Sequence, residues 1–188
     1  MKKIILASSS PRRHQLLSWA EISFEVVVKE TDETYPADLP IVSVPEYIAR
    51  HKALAVQQQG YEDRTILAAD TVVVIDDKII GKPADRGEAI KTLQALSGRQ
   101  HKVITGVVIM EGERVYSFSD NTYVSFHPLS FDQIEYYVDH YKPYDKAGAY
   151  AIQEWIGVVG IASIQGDFYN VMGLPVSKVV QALTEFGK

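Results

Sequence analysis

The chain has 188 residues, 46% hydrophobic, 10% aromatic and 23% charged, a balance that fits an ordinary globular protein and excludes disordered and collagen-like classes. Lys and Arg number 19 against 24 Asp and Glu, and the net charge of −5 argues against sequence-independent binding to a nucleic-acid backbone. With no cysteine, disulfides, thiolate metal sites, iron–sulfur clusters and cysteine nucleophiles are excluded together, and a reducing cytoplasm suits such a chain.

The apolar stretch after Met1-Lys2-Lys3 is too short for an export signal, and no tract approaches the roughly 18 apolar residues of a membrane-spanning helix. A cytoplasmic protein without membrane or nucleic-acid partners is expected. Residues 3–7 read as a short buried strand. Ser10 then caps a helix that Pro11 opens and that runs through Trp19, because proline suits a first turn where its missing N–H would be unpaired anyway. Residues 24–28 are β-rich enough for a second strand, and an acidic loop follows over 30–38. Ser43-Val44-Pro45-Glu46 has the form of a capping box, ahead of a helix marked by Tyr47, Ile48, Leu54 and Ala55 up to Gly60. Residues 65–75 form a β-branched strand, and Asp76-Asp77-Lys78 turns it back into Ile79-Ile80. Asp85 with Glu88 opens a helix closing at Ser97-Gly98, with the glycine as a left-handed cap. Two long strands, 101–110 and 114–126, flank the turn Glu111-Gly112-Glu113. Ser130 with Gln133 caps a helix through Ile134, Tyr137 and Val138. After a loop at 145–153, a strand is expected near 158–164, turns at Gly166 and Gly173, and a closing helix from Pro175 to Gly187. No repeat or linker divides the chain, so one mixed α/β domain over 1–188 is expected.

Ser8-Ser9-Ser10-Pro11-Arg12-Arg13 joins a strand end to a helix start, where unpaired N–H groups and the helix dipole favour an anion and guanidinium groups add bidentate phosphate capacity. A serine cap followed by two solvated arginines is the other reading of the same residues. Asp70 interrupts the apolar run 66–75, where an unpaired carboxylate is costly, and Thr71 breaks the pattern beside it. An exposed edge or a bulge would also accommodate the acid, but Asp70 is the first catalytic candidate. Pro83 holds Lys82 extended. Alone, Lys82 reads as a solvated lysine, Lys52 as a helix-face charge and Asp32-Glu33 as an acidic loop. Gathered in one pocket, these carboxylates and cations would suit phosphoryl chemistry with Mg²⁺ or Mn²⁺. No P-loop pattern accompanies them. His14, His51, His101, His127 and His140 lack metal spacing, no Gly-x-Ser-x-Gly elbow surrounds Ser177, and Tyr136, Tyr137, Tyr141 and Tyr144 read as packing, although aromatic residues near a nucleotide site can also stack a base.

An ordered set of segments runs nearly end to end: Leu6-Ala7-Ser8-Ser9-Ser10-Pro11-Arg12-Arg13, Asp32-Glu33, His51-Lys52-Ala53, Ala69-Asp70-Thr71-Val72-Val73, Gly81-Lys82-Pro83, Leu96-Ser97-Gly98, His101-Lys102-Val103-Ile104-Thr105-Gly106, the stretch 145–153 and the stretch 166–175. The set resembles the Maf (septum-formation inhibitor) family of nucleoside triphosphate pyrophosphatases. The resemblance implies an elongated mixed α/β sheet with flanking helices, an inosine-triphosphatase-like fold with two lobes around a cleft. It implies cleavage of a nucleoside triphosphate between the α- and β-phosphates to the monophosphate and pyrophosphate. Asp70 is then the general base on the attacking water and, with Glu33, a ligand of a divalent cation, Mg²⁺ or Mn²⁺. Ser8, Arg13, Lys52 and Lys82 match positions that bind the triphosphate. Arg12, Thr71 and Gln153 match the specificity positions of the subgroup acting on dTTP and UTP, to which the Asp-Lys-Ala-Gly-Ala-Tyr form of 145–150 belongs. The family also suggests a homodimer. The stretch 154–162 departs from relatives that carry glycine after the glutamine, so the resemblance does not fix the pocket near the base. Two competing classes are a nucleotide-binding regulator of division with incidental hydrolysis and a purine house-cleaning enzyme acting on inosine or xanthosine triphosphate.

Overall fold

The structure, a computed structural model, describes residues 3–187; residues 1, 2 and 188 of the domain expected over 1–188 lie outside the described residues. In chain order the elements are β1 (Ile4–Leu6), α1 (Pro11–Trp19), β2 (Phe24–Val26), α2 (Val44–Gln57), β3 (Ile66–Ile75), β4 (Lys78–Ile80), α3 (Arg86–Leu96), β5 (Gln100–Glu111), β6 (Arg114–Phe126), α4 (Phe131–Tyr141), α5 (Trp155–Gly160), β7 (Ile161–Gln165), α6 (Phe168–Met172) and α7 (Val176–Phe186). The strand order is β2-β1-β3-β5-β6-β7, with β4 on β3. The class is mixed α/β, as the sequence implies. One compact unit takes the chain up to Thr71, Thr105–Asp120 and the chain from Gly173 on; the other takes Val72–Ile104 and Asn121–Met172. Among the described residues no helix is long and apolar enough to cross a membrane.

In the first unit β1 lies between β2 and β3, both parallel to it, with Ile4 opposite Phe24 and Ile5 opposite Ile66. Pairing on both sides makes β1 an interior strand of the sheet, and Ile4, Ile5 and Leu6 are all buried without alternation, the pattern of a parallel strand whose two faces are both packed over. α2 packs Ala49, Ala53 and Val56, one helical face, against Ile5, Ala7, Ile66, Ala68, Val108 and Met110. Its first turn comes closest at Gly106, where an added Cβ would lie 2.1 Å from the Glu46 nitrogen. The missing side chain therefore lets α2 rest on the strand. The capping box read at Ser43 does not form. The 3-10 turn Ile41–Ser43 leaves Ser43 at φ −93° and ψ −14°, helical where a cap should be extended, and its side chain caps nothing. Glu46 instead accepts hydrogen bonds from Ser117 at 2.5 Å and Ser119 at 3.3 Å.

In the second unit β3 turns at Asp76 and Asp77, whose φ angles of 49° and 55° suit the twist of a two-residue hairpin, and pairs antiparallel with β4, which takes Lys78 into the strand. Asp85 caps α3 by accepting from the Glu88 N–H at 2.9 Å, and α4 carries the full box of Ser130 and Gln133. The strand expected from residue 158 starts only at Ile161, because residues 158–160 complete α5. Val158, 83% exposed, has no sheet neighbour to reward its β-branched shape, and its N–H bonds back to the Glu154 carbonyl at 3.4 Å. α6, absent from the sequence reading, begins behind Asp167, whose carboxylate accepts from the N–H groups of Tyr169 and Asn170.

Candidate active site

β3 is buried along its length except at Asp70 and Thr71, the two residues whose chemistry breaks its apolar run. Consecutive side chains of a strand leave on opposite faces, so the pair meets two different sets of partners. Asp70 Oδ1 accepts from Lys52 Nζ at 2.7 Å, and the same ammonium lies 2.7 Å from Glu33 Oε1. α2 supplies the lysine. The loop after β2 supplies Glu33, and Asp32 Oδ1 shapes that loop by accepting from the Thr34 N–H at 3.0 Å. Lys52 and Asp70 are mostly covered, with side-chain exposures of 17% and 13%, whereas Glu33 is 50% exposed. Partial burial reduces screening of this arrangement, and one cation holds together two carboxylates that would otherwise repel.

Thr71 meets Arg13. The buried guanidinium donates from Nε to the Gly173 carbonyl at 2.7 Å, from Nη1 to Ser8 Oγ at 3.1 Å and from Nη2 to Thr71 Oγ1 at 3.0 Å. Thr71 Oγ1 is also 2.9 Å from Thr105 Oγ1, and Thr105 is wholly buried. Burial lowers the Arg13 guanidinium from its ordinary value, while the charge of Asp70 works in the other direction. Of the two readings of the Ser-Pro-Arg segment, solvated arginines fails for Arg13. Ser10 stands at the N-cap without a side-chain cap bond; Ser8 Oγ instead accepts from the Ser10 N–H at 3.3 Å. An N-terminus without a side-chain cap retains the capacity to take an anion. Arg12 lies half-buried on α1.

Lys82 and Gln153 belong to the second unit, both exposed. Their segments are tied by the Gly148 N–H, which donates to the Gly81 carbonyl at 3.2 Å. Gly148 has φ +73°, and an added Cβ would sit 3.0 Å from the Val73 side chain, so glycine is required there on both counts. The structure thus gathers Glu33, Lys52 and Asp70 in one cluster and Ser8, Arg13 and Thr71 in another. Sequence reasoning missed Thr105 and the Gly173 carbonyl. Thr105 breaks the run Val103-Ile104 to Val107-Val108 as Asp70 breaks β3, so the same signal was there to find it. A backbone carbonyl leaves no such mark.

Among the described residues no group of three or more Asp, Glu or His converges to hold a metal by itself. Mg²⁺ is commonly held by one or two carboxylates, with water and substrate phosphate completing its shell. The Glu33 and Asp70 pair is chemically suited to that mode of binding.

A family model described as "Maf-like protein" matches residues 3–186, and the chain belongs to that family. It is 51% identical to the dTTP/UTP pyrophosphatase of Parabacteroides distasonis over 98% of this chain and 96% of that protein. It is 52% identical to the dTTP/UTP pyrophosphatase of Cytophaga hutchinsonii over 96% of this chain and 82% of that protein. Among solved structures the Staphylococcus aureus Ham1 protein aligns over 100% of both chains with a TM-score of 0.55 at 15% identity, a likeness of fold alone. The mixed α/β sheet with flanking helices read from the sequence is the one observed.

Proposed function

We propose that the chain hydrolyses dTTP and UTP between the α- and β-phosphates, releasing the nucleoside monophosphate and pyrophosphate, as a cytoplasmic house-cleaning enzyme whose single domain spans residues 1–188. One geometric observation carries the chemistry: Lys52 Nζ lies 2.7 Å from both Asp70 and Glu33. A carboxylate base, a second carboxylate and a cation at one point are what attack of water on a polyphosphate needs. The substrate class is supported by the names of relatives about half identical over nearly the whole chain.

Asp70 takes a proton from the attacking water as its oxygen bonds to phosphorus. The α,β-bridging P–O bond breaks, and its electron pair leaves on the departing phosphate oxygen. Lys52 neutralises charge on the phosphate oxygens as it builds. Ser8, Arg13 and Lys82 bind the rest of the triphosphate, with Arg13 also fixing Ser8 and Thr71 through its guanidinium. Glu33 and Asp70 would hold Mg²⁺ or Mn²⁺, an ion that when bound offsets polyphosphate charge and acidifies coordinated water. Arg12, Thr71 and Gln153 set the choice of base. A homodimer belongs to the same proposal, and light scattering on the purified chain reads it directly.

The test is pyrophosphate release from dTTP, UTP, CTP, GTP and ITP, with Mg²⁺, with Mn²⁺ and with chelator. Preference for dTTP and UTP is expected, lost with chelator. Asp70→Asn should lower kcat by about 10²- to 10⁴-fold with an unchanged unfolding transition. An active Asp70→Asn enzyme rejects the base assignment, and equal rates on all nucleotides reject the substrate class.

A further inference from the structure

Tyr137 on α4 is fully buried, and its size and neighbours account for its packing. They do not account for what its hydroxyl does. The phenol oxygen accepts a hydrogen bond from the Ala151 N–H at 3.1 Å and donates to Glu154 Oε2. Residues 151 and 154 are the two ends of a turn closed by the Glu154 N–H on the Ala151 carbonyl at 3.1 Å. Gln153 is the exposed residue inside that turn. One buried hydroxyl therefore grips the turn at both ends while its central side chain stays free of the core.

Other contacts brace the same turn. Glu154 Oε1 lies 3.6 Å from the ammonium of Lys146, a mostly buried lysine, so the carboxylate is held from two sides. An added Cβ on Gly157 would lie 1.7 Å from the Ile152 carbonyl oxygen, so α5 packs its backbone directly on the turn. Tyr150, just before it, is anchored by His101 Nε2 at 2.7 Å from its hydroxyl. A surface glutamine that only needed solvent would require none of this order, since an exposed turn is ordinarily mobile.

We propose that Tyr137 is a positioning residue for base selection: its hydroxyl, through Ala151 and Glu154, fixes the turn that aims Gln153 at the nucleotide base. The inference rests on the reading of Gln153 as a base contact. Holding a side-chain amide in place before the substrate arrives improves discrimination, because a mobile amide spends part of the binding energy on being ordered.

The experiment measures kcat and KM for dTTP and for GTP on the full chain, in wild type, Tyr137→Phe, Gln153→Ala and the double variant. Tyr137→Phe should lower the dTTP-to-GTP ratio of kcat/KM by about tenfold, mainly through KM for dTTP, with kcat within about twofold. The double variant should be no less selective than Gln153→Ala alone, since the two changes act on one contact. A purely structural role for Tyr137 would depress both nucleotides alike and add to Gln153→Ala. Either result overturns the proposal. If Tyr137→Phe does not fold, Glu154→Ala removes the other end of the grip and should lower the same ratio; an unchanged ratio there overturns it too. A Gln153→Ala enzyme with wild-type selectivity rejects the base-contact reading and this inference with it, whereas altered selectivity in Gln153→Ala beside an unchanged Tyr137→Phe rejects this inference alone.

Discussion

Asp70 was legible because a carboxylate inside an apolar β-branched run needs a reason, and the reason in the folded chain is Lys52, 18 positions away in sequence. Nothing in Lys52 itself separates it from a solvated helix lysine; only the packing of α2 turns it inward. That packing depends on a single missing side chain. Gly106→Ala would place a Cβ 2.1 Å from the Glu46 nitrogen and 2.4 Å from the Pro45 carbonyl carbon, and backbone cannot rotate away as a side chain can. The variant should lose about 3 kcal/mol in urea denaturation. Its remaining folded fraction should turn over more slowly, because α2 carries Lys52. Wild-type stability in Gly106→Ala would show that the helix does not rest on that strand.

Ser43 with Glu46 and Ser130 with Gln133 are the same pattern at the level of an element, and only the second becomes a capping box. Local sequence cannot separate them. What differs is what lies nearby: Ser117 and Ser119 draw the Glu46 carboxylate away, and a 3-10 turn keeps Ser43 helical. Ser130→Ala should therefore cost about 1 kcal/mol in thermal or urea unfolding, and Ser43→Ala less than about 0.5 kcal/mol. Equal losses would contradict the observed caps. α5 teaches the same lesson from the other side, since Val158 and Val159 favour a strand by shape but find no partner strand at their positions and remain helical.

For the whole molecule, acid stability should follow His101. The ring is 2% exposed, stacked on Phe126 with centroids 5.5 Å apart, and burial pushes it from 6.5 down to about 4. Between those values the unfolded chain binds a proton that the folded chain refuses, so stability falls as pH drops below about 6.5 and the loss is complete near pH 4. The gap corresponds to about 3 kcal/mol. Unfolding free energies measured from pH 7 to pH 4 should show this loss in wild type and lack it in His101→Gln. Parallel curves for the two proteins would show that the imidazole titrates normally.

Local patterning and the ordered motifs determined the class of fold, most strand and helix positions, the family and Asp70, because each is written in apolar periodicity, turn residues or a polar residue where an apolar one belongs. Tertiary structure alone decided that Arg13 is a buried strut to Ser8, Thr71 and Gly173, that residues 158–160 are helical, and that Tyr137 holds a turn as well as filling the core. The Arg13 and Tyr137 contacts reach partners distant in the chain, among them a backbone carbonyl and a backbone N–H, which have no signature in the residues around them; residues 158–160 stay helical because no strand pairs with them, and that too is invisible in the local sequence.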